Sequence, residues 1–202
     1  MKGRPVQALK PVISGYDDTA PDNTDSGILL GSMGMKPTKR NVENISPWRF
    51  LAEISPDMAA VRENRQIDFP QLISFCKESI EDNSAQGTTT LIEGVGGVMV
   101  PLNETHTVLD WIIALKIPTI LVAGTYLGTI SHTLTACSVL TSNGVDVTRI
   151  VLSQSAENPV KPEETASVIS KFLPDIQITR VARAKDEPAP WKNCQNLLDI
   201  IE

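Results

Sequence analysis

The residues from 91 to 104 have the types and order of a site that handles phosphate. Their sequence is LIEGVGGVMVPLNE, in which the carboxylate of Glu93 follows an apolar pair and precedes a glycine-rich turn. Glycines let a ligand approach the backbone, and their N–H groups suit an anion. A carboxylate would repel a phosphate unless a cation lay between them, and Mg²⁺ is often held by carboxylates and phosphates together. The segment therefore predicts a phosphate-and-metal site, with a plain tight turn as the alternative.

Two further segments offer polar side chains that suit the same chemistry. Lys10 and Ser14 stand four residues apart in LKPVISG, a separation that places both on one side of an extended strand. Asp25, in NTDSG, is a second carboxylate; either it reaches the same site or it caps the segment that follows. Together with Glu93, these residues would supply an ammonium group, a hydroxyl and two carboxylates.

A second glycine-containing segment predicts a site for a carboxylate. In GTYLGTISHTL, Gly124 and Gly128 precede a helix that we expect to begin near Thr129. The free N–H groups and the dipole of a helix N-terminus favour a negatively charged group. This segment therefore predicts that the start of the helix holds an anionic end of a ligand.

The elements that must position these residues alternate between strands and helices. Short runs rich in Ile, Val, Leu and Thr predict buried strands at 6–13, 88–92, 119–123, 148–152 and 176–181. Helical periodicity predicts helices within 69–82, 106–116, 128–144, 161–174 and 194–202. This alternation predicts an α/β fold with a parallel sheet flanked by helices. We expect residues 17–65 to form a long irregular excursion with one short helix at 26–33.

Composition narrows the function classes. The 202 residues, 41% hydrophobic and with a net charge of −6, predict a single globular domain over residues 1–202. The acidic balance argues against nucleic acid as a partner, and no window approaches the ~20 apolar residues of a membrane span. Three cysteines without a CxxC spacing favour a reducing, cytoplasmic setting.

The motifs resemble those of dethiobiotin synthetases in order and spacing. KPVISG, NTDSG, IEGVGGVMVPLNE, TVLDWI, IPTILVAGTYLGTISHTL and RIVLSQS carry the resemblance, which extends from residue 5 to about residue 173. The resemblance implies a P-loop NTPase-like fold, a homodimer, and ATP- and Mg²⁺-dependent ring closure of 7,8-diaminononanoate with CO₂. In this reaction a carbamate oxygen takes the γ-phosphoryl group, and the second amine then displaces phosphate to form a cyclic urea.

The resemblance also assigns roles to individual residues. It implies that Lys10 contacts carbamate and phosphate, that Ser14 contacts the same end of the substrate, and that Asp25 and Glu93 are ligands of Mg²⁺. The residues expected to bind the nucleotide are Asp25, Glu93, Gly94, Val95, Gly96, Ser153, Gln154, Val181 and Arg183. Those expected to bind the substrate carboxylate are Gly128, Thr129, Ile130 and Ser131.

One feature of the family has no counterpart in the sequence. Dethiobiotin synthetases open with a strand, a GxxxxGK[ST] phosphate loop and a helix, and no GxxxxGK[ST] occurs in the 202 residues. We therefore expect the first strand–P-loop–helix unit to be absent, through a late start or a real truncation, and the chain as given to form little or no cyclic urea. Two alternatives remain open: an inactive remnant that retains dimerisation or substrate binding, and a related P-loop amide-forming synthetase.

Overall fold

The computed structural model describes residues 5–184 together with Lys192 and Leu197. The chain divides into two compact units, Met1–Leu115 and Lys116–Glu202, and each is described by itself. The single domain expected over residues 1–202 stays a prediction. Both units combine parallel strands with helices, which confirms the predicted α/β class. The helix expected at 194–202 lies outside the described residues except for Leu197. No described helix is long and apolar enough to cross a membrane.

The first unit contains four short strands in two parallel pairs. The strands are β1 (Val6–Leu9), β2 (Val12–Ser14), β3 (Trp48–Phe50) and β4 (Thr89–Ile92). Strand β1 pairs with β4, so that Leu9 lies opposite Ile92, and β2 pairs with β3, so that Ser14 lies opposite Phe50. The helices of this unit are α1 (Asp25–Ser32), α2 (Lys39–Ile45), α3 (Pro56–Arg62), α4 (Phe69–Ala85) and α5 (Val108–Leu115).

The strand predicted over 6–13 is interrupted between Leu9 and Val12. The backbone N–H of Lys10 turns to the carbonyl of Ile45 (3.0 Å), and the carbonyl of Pro11 accepts from the N–H of Trp48 (3.0 Å). Proline has no N–H to donate to a ladder, so the chain changes partner at this point, from β4 to β3. The prediction of one continuous strand is wrong, and Lys10 lies at the change of partner.

The region from 17 to 65 is more regular than predicted. The short helix expected at 26–33 is confirmed as α1, but the structure adds α2, β3 and α3. Two of its helices are capped by threonines: Thr24 is the N-cap of α1 and Thr38 that of α2, and the hydroxyl of each accepts a hydrogen bond from a backbone N–H. One core cluster of the unit consists of buried side chains from β1, β2, α1, α2 and the residue that follows Gly15: Leu9, Ile13, Tyr16, Leu30, Val42 and Ile45.

In its described residues, the second unit has a three-stranded parallel sheet covered by two helices. Its strands are β5 (Thr119–Ala123), β6 (Val147–Ser153) and β7 (Gln177–Val181), in that order across the sheet. Its helices are α6 (Thr129–Ser142) and α7 (Pro162–Phe172). Ile150, Leu152 and Ile169 are fully buried between the sheet and these helices. The predicted strands at 119–123, 148–152 and 176–181 are confirmed, with ends that differ by no more than one residue.

Candidate active site

Lys10 is the centre of a cluster of charges in the first unit. Its side chain is only 6% exposed, and its Nζ atom donates to Glu93 Oε1 at 2.7 Å and to the carbonyl of Gly94 at 2.7 Å. Asp25 Oδ2 lies 3.4 Å from the same nitrogen. A buried ammonium group is stable only when it is paired and hydrogen-bonded, and these three oxygen atoms fulfil that requirement. The structure thus brings together the predicted lysine and both predicted carboxylates.

The two carboxylates reach Lys10 from different elements. Glu93 follows directly after β4, and its N–H donates to the carbonyl of Leu9 (2.9 Å), which continues the β1–β4 pairing by one residue. Asp25 is the first residue of α1; the cap is Thr24, whose hydroxyl accepts from the N–H of Gly27 (3.2 Å). The alternative that Asp25 serves as the N-cap is therefore wrong, and its carboxylate is directed to Lys10.

The cluster fits a cation held between two carboxylates. Asp25 and Glu93 have side chains that are 55% and 54% exposed, so ligands have access to both, while both contact one ammonium nitrogen. Among the described residues, no group of three or more His, Cys, Asp and Glu side chains could hold a metal. Mg²⁺ typically uses one or two protein carboxylates and takes its other ligands from phosphates and water. The two carboxylates therefore suit that ion in its usual substrate-dependent mode.

The glycine-rich turn after Glu93 has one position that requires glycine. Gly96 has φ +62°, and a Cβ atom there would lie 2.8 Å from a methyl group of Val100. Near Gly97 nothing lies within 4 Å of the position of a Cβ, so the backbone has open space at that point. The turn closes through a hydrogen bond from the N–H of Val100 to the carbonyl of Gly97 (3.0 Å). Open space beside glycine backbone is compatible with the predicted approach of a phosphate.

The far end of this turn is fixed by the start of α5. Asp110 accepts from the N–H and from the hydroxyl of Thr107, both at 2.7 Å, as in a capping box. The hydrogen bond from the backbone N–H of Thr107 lowers the pKa of Asp110 most, and the hydrogen bond from the Thr107 hydroxyl lowers it further. The carboxylate is therefore charged at neutral pH and stabilises the helix that ends the loop.

Ser14 lies at the end of β2 and has an unpaired polar atom. Its Oγ is buried and has no hydrogen-bond partner among the described residues. The next residue, Gly15, has φ +77° and donates its N–H to the carbonyl of Ala52 (3.2 Å), so the chain turns sharply there. Lys10 and Ser14 were expected on one side of a single extended strand, and this prediction is wrong because the strand is interrupted between them. A buried hydroxyl without a partner nevertheless suits a group that a ligand satisfies.

The predicted carboxylate site lies at the start of α6 in the second unit. Gly128 precedes the helix with φ +96°, a conformation that favours glycine, and no side chain caps this helix. Thr129 is buried, and its hydroxyl donates to the carbonyl of Gly124 (2.7 Å). Residues 128–131 thus form the N-cap and the first residues of a long helix, as the sequence predicts, with Gly128 and Ser131 exposed. The residues of this turn are Gly128, Thr129, Ile130 and Ser131.

Four of the residues expected to bind the nucleotide lie together at one edge of the second unit. Ser153 pairs with Val181 in the β6–β7 ladder, and the N–H of Gln154 donates to the carbonyl of Val181 (2.9 Å). The side-chain oxygen of Gln154 accepts from the N–H of Arg183 (3.2 Å). The ends of β6 and β7 are therefore joined through Gln154, at the carboxyl edge where parallel sheets bind ligands.

Sequence reasoning missed three polar residues at the same edge. Thr125, Ser155 and Asn158 contact one another between the loops that follow β5 and β6. Their positions in the sequence could have indicated this contact, because Thr125 and Ser155 each lie two residues beyond the end of one of two neighbouring parallel strands. No motif in the sequence marks such a contact.

Comparison with known proteins places the chain in a family. The family model described as an AAA domain, of the P-loop NTPase-like type, matches residues 1–184. The ATP-dependent dethiobiotin synthetase BioD of Acidiphilium cryptum is 48% identical over 170 residues, which cover 84% of this chain and 75% of that protein. The protein of the same name from Methylobacterium nodulans is 42% identical over 190 residues, 93% of this chain and 84% of its own. That of Caulobacter vibrioides is 38% identical over 199 residues, 98% and 86% respectively.

These matches confirm the resemblance drawn from the motifs and the P-loop NTPase-like fold class. The family model already matches from residue 1. The expectation that a first strand–P-loop–helix unit is absent is not borne out by this match.

Proposed function

Because the chain belongs to the dethiobiotin synthetase family, we propose that it is an ATP- and Mg²⁺-dependent ligase of biotin biosynthesis. Its substrates are CO₂ and 7,8-diaminononanoate, and its product is the cyclic urea dethiobiotin. The observation that supports this best is the position of Lys10, buried and within 3.4 Å of oxygen atoms of both Asp25 and Glu93. A fixed positive charge beside two carboxylates suits a reaction in which negative charge gathers on a carbamate and a phosphoryl group.

The proposed reaction forms and breaks bonds in three steps. One amine of the substrate adds to CO₂ and loses a proton, which gives a carbamate. A carbamate oxygen then attacks the γ-phosphorus of ATP, and ADP leaves. The second amine attacks the carbonyl carbon of the mixed anhydride, inorganic phosphate leaves with the electron pair of the broken C–O bond, and loss of a proton gives the urea.

Each residue of the cluster has a proposed part in these steps. Lys10 holds the carbamate oxygen and the phosphoryl group through its ammonium hydrogens, exchanging its present carboxylate partners for the substrate. Asp25 and Glu93 hold Mg²⁺, which when bound neutralises charge on the phosphates. The Ser14 hydroxyl, for which no hydrogen-bond partner is found within the described part of the chain, donates to the same end of the substrate.

The remaining residues are proposed to bind the ends of the two substrates. The first turn of α6, residues 128–131, holds the substrate carboxylate through its N–H groups. From the family resemblance, Ser153, Gln154, Val181 and Arg183 are assigned to binding of the nucleotide base, and Gly94, Val95 and Gly96 to binding of phosphate. We propose a homodimer in the cytoplasm as the working form, on the strength of the family resemblance and the cysteine content.

The test is formation of the urea from labelled carbon. The purified chain is incubated with 7,8-diaminononanoate, ¹³C-bicarbonate, ATP and Mg²⁺, and the product is identified by mass spectrometry. The expectation of little or no cyclic urea rested on the absence of the first strand–P-loop–helix unit, which the family match from residue 1 does not bear out. We therefore expect dethiobiotin carrying one ¹³C atom, with one ADP and one phosphate formed per urea. Omission of ATP or of Mg²⁺ should each abolish the product. Absence of labelled urea in the complete mixture would contradict the proposal, as would an ATP-dependent product that does not require bicarbonate.

A further inference from the structure

Two loops of the second unit are joined at the carboxyl edge of its sheet. Strands β5 and β6 are parallel neighbours, with Ala123 opposite Leu152, so the loops that follow them leave from the same edge. Thr125 lies in the first loop and Ser155 in the second. Each is two residues beyond the end of its strand.

The two residues exchange backbone-to-side-chain hydrogen bonds. The N–H of Thr125 donates to Ser155 Oγ at 2.9 Å, and the N–H of Ser155 donates to Thr125 Oγ1 at 3.0 Å. The hydroxyl of Thr125 also donates to Asn158 Oδ1, and the Asn158 amide donates to the carbonyl of Ser155 at 2.8 Å. Thr125 is 1% exposed. We refer to Thr125, Ser155 and Asn158 as the loop bridge.

The loop bridge is continuous with the start of α6. Gly124 packs so closely against the bridge that a Cβ atom on it would lie 2.7 Å from Ser155 Oγ. The carbonyl of Gly124 accepts from the hydroxyl of Thr129, the first residue of the helix, at 2.7 Å. A shift of the Gly124–Thr125 backbone would therefore displace the first turn of α6.

We propose that the loop bridge consists of positioning residues that set the affinity of the chain for the carboxylate end of its diamino acid. The bridge residues are not among those proposed to hold the reacting groups; they fix the loop that leads into residues 128–131. This inference rests on the proposed function, because it takes the first turn of α6 as the substrate carboxylate site. It adds that the loop after β6 determines the geometry of that site.

The variant Thr125→Val tests the proposal with little change of shape. It removes the hydroxyl, leaving the Ser155 N–H and the Asn158 amide oxygen without a partner. We expect 7,8-diaminononanoate to bind about tenfold more weakly, as measured by isothermal titration calorimetry without nucleotide. Ser155→Ala should weaken binding similarly. The double variant should bind the diamino acid about as tightly as the single variant with the lower affinity, because both changes break one connected set of hydrogen bonds.

Two controls separate positioning from general stability. Thr125→Ser retains the hydroxyl and should restore affinity to within about twofold of the wild type. Thr148→Val removes an exposed hydroxyl at the opposite end of β6 and should leave affinity unchanged. Thermal unfolding of every variant shows whether the protein is folded at the temperature of the titration.

The outcomes are distinct for the two proposals. If the wild type binds the diamino acid and folded Thr125→Val binds it equally well, the loop bridge is only structural and this inference is overturned, while the proposed function stands. Equal weakening in Thr125→Val and Thr125→Ser would also overturn it. If the wild type does not bind the diamino acid at all, the proposed carboxylate site fails and the inference fails with it.

Discussion

The Nζ atom of Lys10 lies 2.7 Å from Glu93 Oε1, in the place where a cation would be expected between two carboxylates. The lysine comes from the break between β1 and β2, and the glutamate from the residue directly after β4. Because β1 and β4 are parallel and in register up to Leu9 and Ile92, the two side chains leave the pair at the same end. The ion pair is therefore a direct consequence of strand pairing.

The first prediction follows from the competition between this ammonium group and a metal ion. Lys10→Met removes the positive charge and keeps much of the buried aliphatic chain, so Asp25 and Glu93 are free to bind a divalent cation. An ion pair with half-exposed carboxylates is worth up to about 1 kcal/mol, so Mn²⁺, used as a probe for Mg²⁺, should bind about fivefold more tightly. Electron paramagnetic resonance titration measures the free Mn²⁺.

The rate of ring closure in the same variant should fall by about 100-fold or more, because no positive charge at residue 10 stabilises the negative charge on the carbamate and the phosphoryl group. Lys77→Met, an exposed lysine on α4, is the matched control and should change neither quantity. Weaker Mn²⁺ binding in Lys10→Met would show that Lys10 assembles the site rather than competing for it.

The second prediction concerns the buried hydroxyl of Ser14. In the free chain its Oγ has no hydrogen-bond partner among the described residues, so Ser14→Ala removes an unsatisfied polar atom. The free energy of unfolding should stay the same or rise by up to about 1 kcal/mol, while the diamino acid should bind about fivefold more weakly. Urea denaturation and calorimetric titration measure the two effects.

Ser74→Ala, at an exposed position of α4, serves as the control for the second prediction. A large loss of stability in Ser14→Ala without loss of affinity would mean that the hydroxyl is structural.

The third prediction is a pH dependence that arises at the start of α5. The pKa of Asp110 is lowered in the folded chain by the hydrogen bonds from Thr107, so its charged form contributes stability above the unfolded pKa of about 3.9. That contribution is lost as the pH falls through the lower, folded pKa. Asp110→Asn should therefore reduce the free energy of unfolding by about 1 kcal/mol at pH 7.

The difference between wild type and Asp110→Asn should become smaller as the pH falls below the unfolded pKa of about 3.9, which urea denaturation between pH 7 and about pH 3 can follow. Asp82→Asn, at an exposed position of α4, is the control. A loss of stability in Asp110→Asn that is equal at both ends of this range would rule out the charge as its cause.

The fourth prediction is that Cys76 is unreactive in the folded chain. The side chain is fully buried, and burial raises the pKa of Cys76 to about 11, so almost no thiolate forms at pH 8. Iodoacetamide should leave the peptide containing Cys76 unlabelled in the native protein and label it readily in urea. Peptide mass spectrometry measures both. Labelling of native Cys76 at the rate seen in urea would contradict the observed burial.

The pairing of strands explains which parts of the fold could be predicted from sequence. Strand β5 was predicted at its observed bounds, because a run of Ile, Leu and Val stands between Pro118 and Gly124. Strand β3 was missed because it has only three residues, with an arginine in the middle, and so shows no pattern. The break in the first strand was also missed, since Pro11 can be accommodated at a strand edge and its change of partner depends on β3.

The same distinction between local and long-range patterns explains which site residues could be predicted from the sequence. Glu93 and Lys10 were found because strand ends and glycine turns follow local rules, and the structure brings them together. The loop bridge was not found, because Thr125 and Ser155 are ordinary loop residues whose contact depends on the neighbouring positions of β5 and β6. Hydroxyl side chains in loops have no spacing that distinguishes a bridge from a solvated surface.

We propose that Glu93 and its partners form the cation site of a urea-forming ligase, and the rate of ATP-dependent dethiobiotin formation tests this proposal. Wild type is compared with Glu93→Gln, which keeps the shape and removes the charge, and with Glu104→Gln, an exposed glutamate in the same segment. The proposal predicts a loss of about 100-fold or more in Glu93→Gln, partly recovered at higher Mg²⁺, and a wild-type rate in Glu104→Gln. A rate in Glu93→Gln equal to that of the wild type would contradict it.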